Sequence, residues 1–97
     1  EFNVTMENRR FYMHDPDRKI ACQISYIPLG TENIEEKVEK ILHIIRNSGL
    51  EFKVNSFATE IKGSKAEVFS LIEDIFEIAE TEDQFVLDLK LSNICGC

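Results

Sequence analysis

Between Ile20 and Ser92 the spacing of apolar residues switches from two to three-or-four and back again, and it does so twice. Few folds accommodate that rhythm. Ile20, Cys22, Ile24 and Tyr26 alternate with Ala21, Gln23, Ser25 and Ile27, the period-two signature of a strand with one buried face. Pro28 then removes a backbone donor and Gly30 opens a turn, so the strand ends there. Ile34, Val38, Ile41, Leu42 and Ile45 recur at helical steps, with Glu35, Glu36, Lys37, Glu39 and Lys40 forming the wet face of an amphipathic helix. Asn33 and Glu36 have capping-box spacing at its start, and Gly49 supplies a left-handed stop.

The second half repeats the scheme. Phe52 and Val54 alternate with Glu51, Lys53 and Asn55; after Ser56, Phe57, Thr59 and Ile61 oppose Ala58, Glu60 and Lys62, which predicts a hairpin closed off by Gly63 and Ser64. Ser64 and Glu67 make another capping box, ahead of Val68, Phe69, Leu71, Ile72, Ile75, Phe76 and Ala79. After the polar stretch Glu80–Gln84, Phe85, Leu87, Leu89 and Leu91 alternate with Val86, Asp88, Lys90 and Ser92 in the clearest strand of the chain. The order is βαββαβ. It predicts an α+β ferredoxin-like fold, with a four-stranded antiparallel sheet carrying two helices on one face.

Residues 1–19 have no apolar period to bury and are expected to form a flexible arm, with Glu1–Thr5 ahead of Met6 read as vector-derived. Residues 20–97 form the single folded domain. The arm has no apolar core of the secretory kind, and no stretch approaches the roughly 18 apolar residues of a membrane span, which predicts a cytoplasmic protein with no membrane partner. The formal charge of −7 disfavours nucleic acid, whose phosphates need clustered Lys and Arg. It suits cationic ligands better.

Signs of catalysis are missing. The sequence contains no P-loop, GxGxxG, HExxH or GxSxG, and no Cys has a His placed as its base. His14 falls in the arm, and His43, between Leu42 and Ile44, reads as a packed or half-exposed imidazole. Glu73, Asp74, Glu77 and Glu80 read as the wet side of the second helix. Cys22, Cys95 and Cys97 read as free thiols in a chain without an export signal. Cys95-Gly96-Cys97 offers two soft ligands where a structural zinc site takes four, so neither a metal nor another cofactor is expected. On the non-helix face of the sheet the mixed set Gln23, Ser25, Ile27, Lys53, Asn55, Ala58, Glu60, Val86, Asp88, Lys90 and Ser92 is either solvated or packed against a second copy. A domain this small gains from the packing.

Four segments carry a resemblance: Cys22-Gln23-Ile24-Ser25-Tyr26-Ile27-Pro28-Leu29-Gly30, Ser48-Gly49-Leu50-Glu51-Phe52, Thr59-Glu60-Ile61-Lys62-Gly63, and Leu87-Asp88-Leu89-Lys90-Leu91-Ser92-Asn93-Ile94-Cys95-Gly96-Cys97. In order and spacing the chain resembles the small thiamine-binding proteins, with Lys62 standing where an acidic residue is common. The resemblance implies the ferredoxin-like fold, homodimers or homotetramers associating through their sheets, no catalytic activity, and a ligand that is thiamine or its hydroxymethylpyrimidine moiety, in thiamine salvage or transport. An aminopyrimidine presents an exocyclic donor beside ring-nitrogen acceptors, and a thiazolium is a cation. Gln23, Ser25, Asn55, Asp88 and Ser92 share the non-helix face by strand parity and are the candidate contacts. Thr59 has the opposite parity and can contribute only from a pocket reaching under the sheet. The alternative is an allosteric small-molecule sensing module of the same fold, with an enzyme using the Cys95 and Cys97 thiols a third reading.

Overall fold

The computed structural model describes residues 17–30 and 32–93. Most of the expected arm and the Cys95-Gly96-Cys97 end lie outside the described residues. The elements run β1 (Lys19–Pro28), α1 (Ile34–Asn47), β2 (Glu51–Val54), β3 (Thr59–Ser64), α2 (Lys65–Glu82) and β4 (Phe85–Ser92). The strands form one antiparallel sheet in the order β2-β3-β1-β4, with the helices on one face, an α+β ferredoxin-like arrangement.

The inward half of each alternation meets the helices. Ile20, Cys22 and Ile24 of β1 and Thr59 and Ile61 of β3 are buried, and above them lie Ile41 and Ile45 of α1 with Val68, Leu71, Ile75 and Ala79 of α2. The α2 spacing of three, four and four residues explains why one stripe of that helix faces the sheet. Full burial of an aliphatic side chain stabilises by about 1.5–3 kcal/mol, so Ile45, Ile61, Val68 and Ile75 anchor the molecule. Two helices do not cover the edges of a four-stranded sheet. Phe52 and Val54 on β2 and Leu91 on β4 stay exposed, and Phe69 and Phe76 of the predicted α2 stripe lie on its open flank. Phe76 packs edge-on against Phe85, with ring centroids 5.0 Å apart.

Local signals resolve unevenly. At α2 the capping box forms as predicted: Ser64 Oγ accepts from the Glu67 N–H, and Glu67 Oε1 accepts from the Ser64 N–H, each at 3.2 Å. At α1 it does not. Asn33 occupies the N-cap position, but at φ −109° and ψ 53° its side chain makes no capping hydrogen bond. Gly49 does take the left-handed conformation, φ +80°, just past the end of α1. Gly63 and Ser64, expected to close the hairpin, belong instead to β3, and a Cβ on Gly63 would stand 3.0 Å from Leu50 Cδ2. The glycine there admits the chain leaving α1. Phe57, expected as an inward strand residue, lies in the loop between β2 and β3 and is 93% exposed. The alternation around Ile61 holds only from Thr59, where the strand starts, so it does not extend to Phe57.

Replacing Ser64 with Ala removes one of the two reciprocal bonds and should cost about 1 kcal/mol. In a domain of this size that lowers Tm by roughly 4–8 °C, measured by circular dichroism. An unchanged Tm contradicts the stabilising role of this cap. Burial also pushes the Cys22 thiol from 9.0 up to about 11. The folded state therefore keeps a proton that the unfolded chain loses, so this contribution is complete below pH 9.0 and is lost as pH rises to about 11. Urea midpoints measured across that range should fall more steeply for the wild type than for Cys22→Ala; parallel profiles contradict the assignment.

Candidate functional site

The site follows from unequal strand lengths. From Lys19 to Ile24, β1 is paired on one side with β3, but the hairpin turns back at Val54 and Thr59, so Ser25–Pro28 pair only with Asp88–Phe85 of β4. A notch opens beside the last four residues of β1. α1 roofs it with Val38, Ile41, Leu42 and Ile45, and the Asn55–Ala58 loop bounds its far side. The half-open cleft measures about 360 Å³, within the ~300–1,000 Å³ of typical small-molecule sites. Because the cleft passes through the sheet plane, residues of both parities line it. Buried Thr59 contributes from the helix side, and Ser25 and Asp88, cross-strand partners, contribute from the outer side.

Hydrogen bonds hold the loop in place across the notch. The Ser25 hydroxyl donates to the Phe57 carbonyl at 2.8 Å, the Asn55 N–H donates to the Ala58 carbonyl at 2.8 Å, and Asn55 Nδ2 donates to Glu60 Oε2 at 3.0 Å. The turn is thus closed on itself and tied to β1. Tyr26 forms an aromatic wall, 6.1 Å centroid to centroid from Phe85. Its phenol is pushed above the ordinary range by burial first and by the nearby Glu82 and Asp83 carboxylates second, partly offset by Lys40. Lys40 in turn binds Glu82 at 2.8 Å; that contact holds the lysine above and the carboxyl below their usual values. Asp88 is the one charged side chain among the described residues lining the cleft, which include no His, Cys, Lys or Arg.

Of the six candidate contacts, the structure brings Ser25, Asn55, Thr59 and Asp88 together here. Gln23 and Ser92 are not with them. They line a separate depression of about 240 Å³ on the outer face, beside Lys62 and Lys90. Parity puts these residues on one face, but only register decides where along the strands they fall, and Gln23 faces Glu60 and Lys90 where Ser25 faces Asp88. Tyr26 and Phe57 were missed as lining residues because both read as inward strand positions. The signal that could have found Phe57 is Asn55-Ser56, a pair with strong turn preference.

A larger hollow, about 570 Å³, lies elsewhere, between the end of α1 and the start of α2. It is an open groove in which several polar residues are already engaged with one another: Asn47 Nδ2 lies 2.8 Å from His43 Nε2, and Glu67 serves the α2 cap. Convergent polar groups, aromatic walls and a roof favour the smaller cleft as the binding site. Among the described residues no group of three or more His, Cys, Asp and Glu could hold a metal, and no helix is long and apolar enough to cross a membrane.

A ferredoxin-like α+β domain with a small-molecule cleft at a break in its sheet is the class that this fold and geometry define. Residues 22–93 match the family model described as thiamine-binding protein, and the chain belongs to that family. Solved structures share the fold. A candidate thiamine biosynthesis/salvage protein from Thermotoga maritima aligns with TM-score 0.69 and 21% identity over 76% of this chain and 82% of its own. A hypothetical protein from Methanocaldococcus jannascii gives 0.73 and 21% over 82% and 84%, and a Streptococcus pneumoniae protein 0.72 and 16% over 76% and 84%. At these identities the likeness speaks to fold alone. No curated protein matches the sequence.

Proposed function

We propose that the protein binds thiamine or its hydroxymethylpyrimidine moiety reversibly, without transforming it, and serves thiamine salvage or transport in the cytoplasm through one ligand-binding domain, residues 20–97. The observation that carries this reading is the convergence of Ser25, Asn55, Thr59 and Asp88 with Tyr26 and Phe57 on one cleft, in a chain of the thiamine-binding family. The amide and hydroxyls match an aminopyrimidine edge, which needs both donors and acceptors. The aromatic rings and the Asp88 carboxylate suit a thiazolium cation. A binding role without chemistry is supported by the lining itself, where the Ser25 hydroxyl is committed to a backbone carbonyl rather than to a base.

Isothermal titration with thiamine and with hydroxymethylpyrimidine tests the proposal. A neutral hydrogen bond contributes about 0.5–1.5 kcal/mol net and one to a charged group about 1.5–3, so loss of a true contact weakens binding from several-fold to about a hundredfold. Asn55→Ala should weaken both compounds alike, whereas Asp88→Asn should weaken thiamine more than the uncharged pyrimidine. Absence of heat with either compound at millimolar concentration contradicts the function.

We further propose that the outer sheet face is covered in a homodimer or homotetramer. Ile27 and Val86 pair across β1 and β4, each 45% exposed, and Phe57 stands at the cleft mouth beside them in a position that a second subunit would cover. Changing Ile27 and Val86 to Lys puts unpaired charges into that contact and should shift light-scattering mass toward the monomer. A wild-type protein that is monomeric at high micromolar concentration rejects this arrangement.

A further inference from the structure

The charge lining the cleft indicates which chemical form of a ligand it admits. Thiamine and its pyrimidine exist free and as phosphate esters, and a phosphomonoester adds about −1.5 to −2 charges at neutral pH. Proteins hold such groups with Lys or Arg, with a helix N-terminus, or with a glycine-bearing backbone nest. The described lining has none of these. It includes no Lys or Arg; α1 presents Val38 to Ile45, past its first turn; and the Asn55–Ala58 loop contains neither glycine nor a residue of positive φ.

The cations nearest in the fold either pair with carboxylates on α1 or lie on the sheet outside the cleft lining. On α1, Lys40 lies 2.8 Å from Glu82 and Lys37 lies 3.9 Å from Asp83. On the sheet, Lys53 stands across from Glu60, while Lys62 and Lys90 line the separate outer depression with Gln23 and Ser92. What the cleft does offer is Asp88, an exposed carboxylate at its outer lip.

Resting on the binding proposal above, we infer that this cleft selects the unphosphorylated ligand and that Asp88 is the residue that rejects the phosphate ester. The carboxylate attracts the thiazolium and repels a phosphate attached beyond it, so one side chain supplies both halves of the selectivity. Discrimination of this origin weakens as salt shortens the screening length.

The test titrates the full chain with thiamine and thiamine monophosphate at low and at high ionic strength, about 0.02 M and about 0.5 M. The ester should bind at least about tenfold more weakly at low salt, and the gap should narrow at high salt. Asp88→Asn should bring the two within about threefold, and Asp88→Lys should reverse the preference. Asp88 is exposed on an edge strand, so neither change removes a core contact, and light scattering of each variant at the titration concentration verifies that the assembly matches the wild type before the ratios are compared. Glu73→Gln, on the solvent side of α2, removes one charge far from the cleft and should leave the ratio unchanged. If the ester binds as tightly as thiamine, or if Lys90→Ala rather than Asp88→Asn sets the ratio, the inference is overturned while the binding proposal stands. If thiamine itself does not bind, the binding proposal is the one that fails. A ratio that Glu73→Gln shifts as much as Asp88→Asn does would assign the selectivity to net charge and also overturn it.

Discussion

The structure depends on β1 being paired on both sides for its first half and on one side for its second. Through Lys19–Ile24 the strand is the centre of a continuous sheet, and its inward residues Ile20, Cys22 and Ile24 share the deepest layer with Ile61, Val68 and Ile75. From Ser25 onward the hairpin is gone and the strand acquires an edge inside the sheet. An unpaired edge must be satisfied or covered. The Ser25 hydroxyl tethers the loop beside that edge through the Phe57 carbonyl, and the space left between the strand, the loop and α1 is the cleft.

The binding proposed for the cleft would thereby fall at the opposite end of the molecule from the α2 cap. The end away from the cleft has Gly63 against Leu50 and the reciprocal Ser64–Glu67 cap, and the Lys65 N–H there bonds to the Arg18 carbonyl at 2.7 Å. The cleft end has a four-residue turn, a half-buried tyrosine and surface ion pairs joining α1 to the end of α2. Contacts of the latter kind contribute little to global stability, which suits the ligand-binding role proposed for this region. Apolar residues left uncovered on β2, β4 and the open flank of α2 follow from the geometry of two helices on four strands.

Much of this was legible in the sequence, because periodicity reports the direction of a side chain. The alternations gave the inward faces of β1 and β4 and of β3 from Thr59 onward, and the helical stripes contained the buried positions of α1 and α2 together with Ile34, Phe69 and Phe76, which stay exposed. What periodicity does not report is distance along a strand. Gln23 and Ser25 read as equivalent outward residues, yet pairing sets them opposite Lys90 and Asp88 and so in different hollows. The point at which the hairpin turns is likewise a tertiary property, and misjudging it moved Phe57 from loop to strand. Asn33 and Ser64 carry the same capping signal; only Ser64 has the extended backbone, φ −69° and ψ 156°, that lets its side chain reach the N3 amide.

The location of the site is the central claim, and amide chemical-shift mapping tests it most directly. On addition of thiamine to uniformly nitrogen-15-labelled protein, the largest perturbations should fall on Ser25–Ile27, Asn55–Thr59 and Asp88, with the buried half of β1 and the α1–α2 groove around His43 and Asp74 unmoved. Perturbations centred instead on Gln23, Lys62, Lys90 and Ser92, or on the groove between the helices, would contradict the assignment of the notch as the binding site.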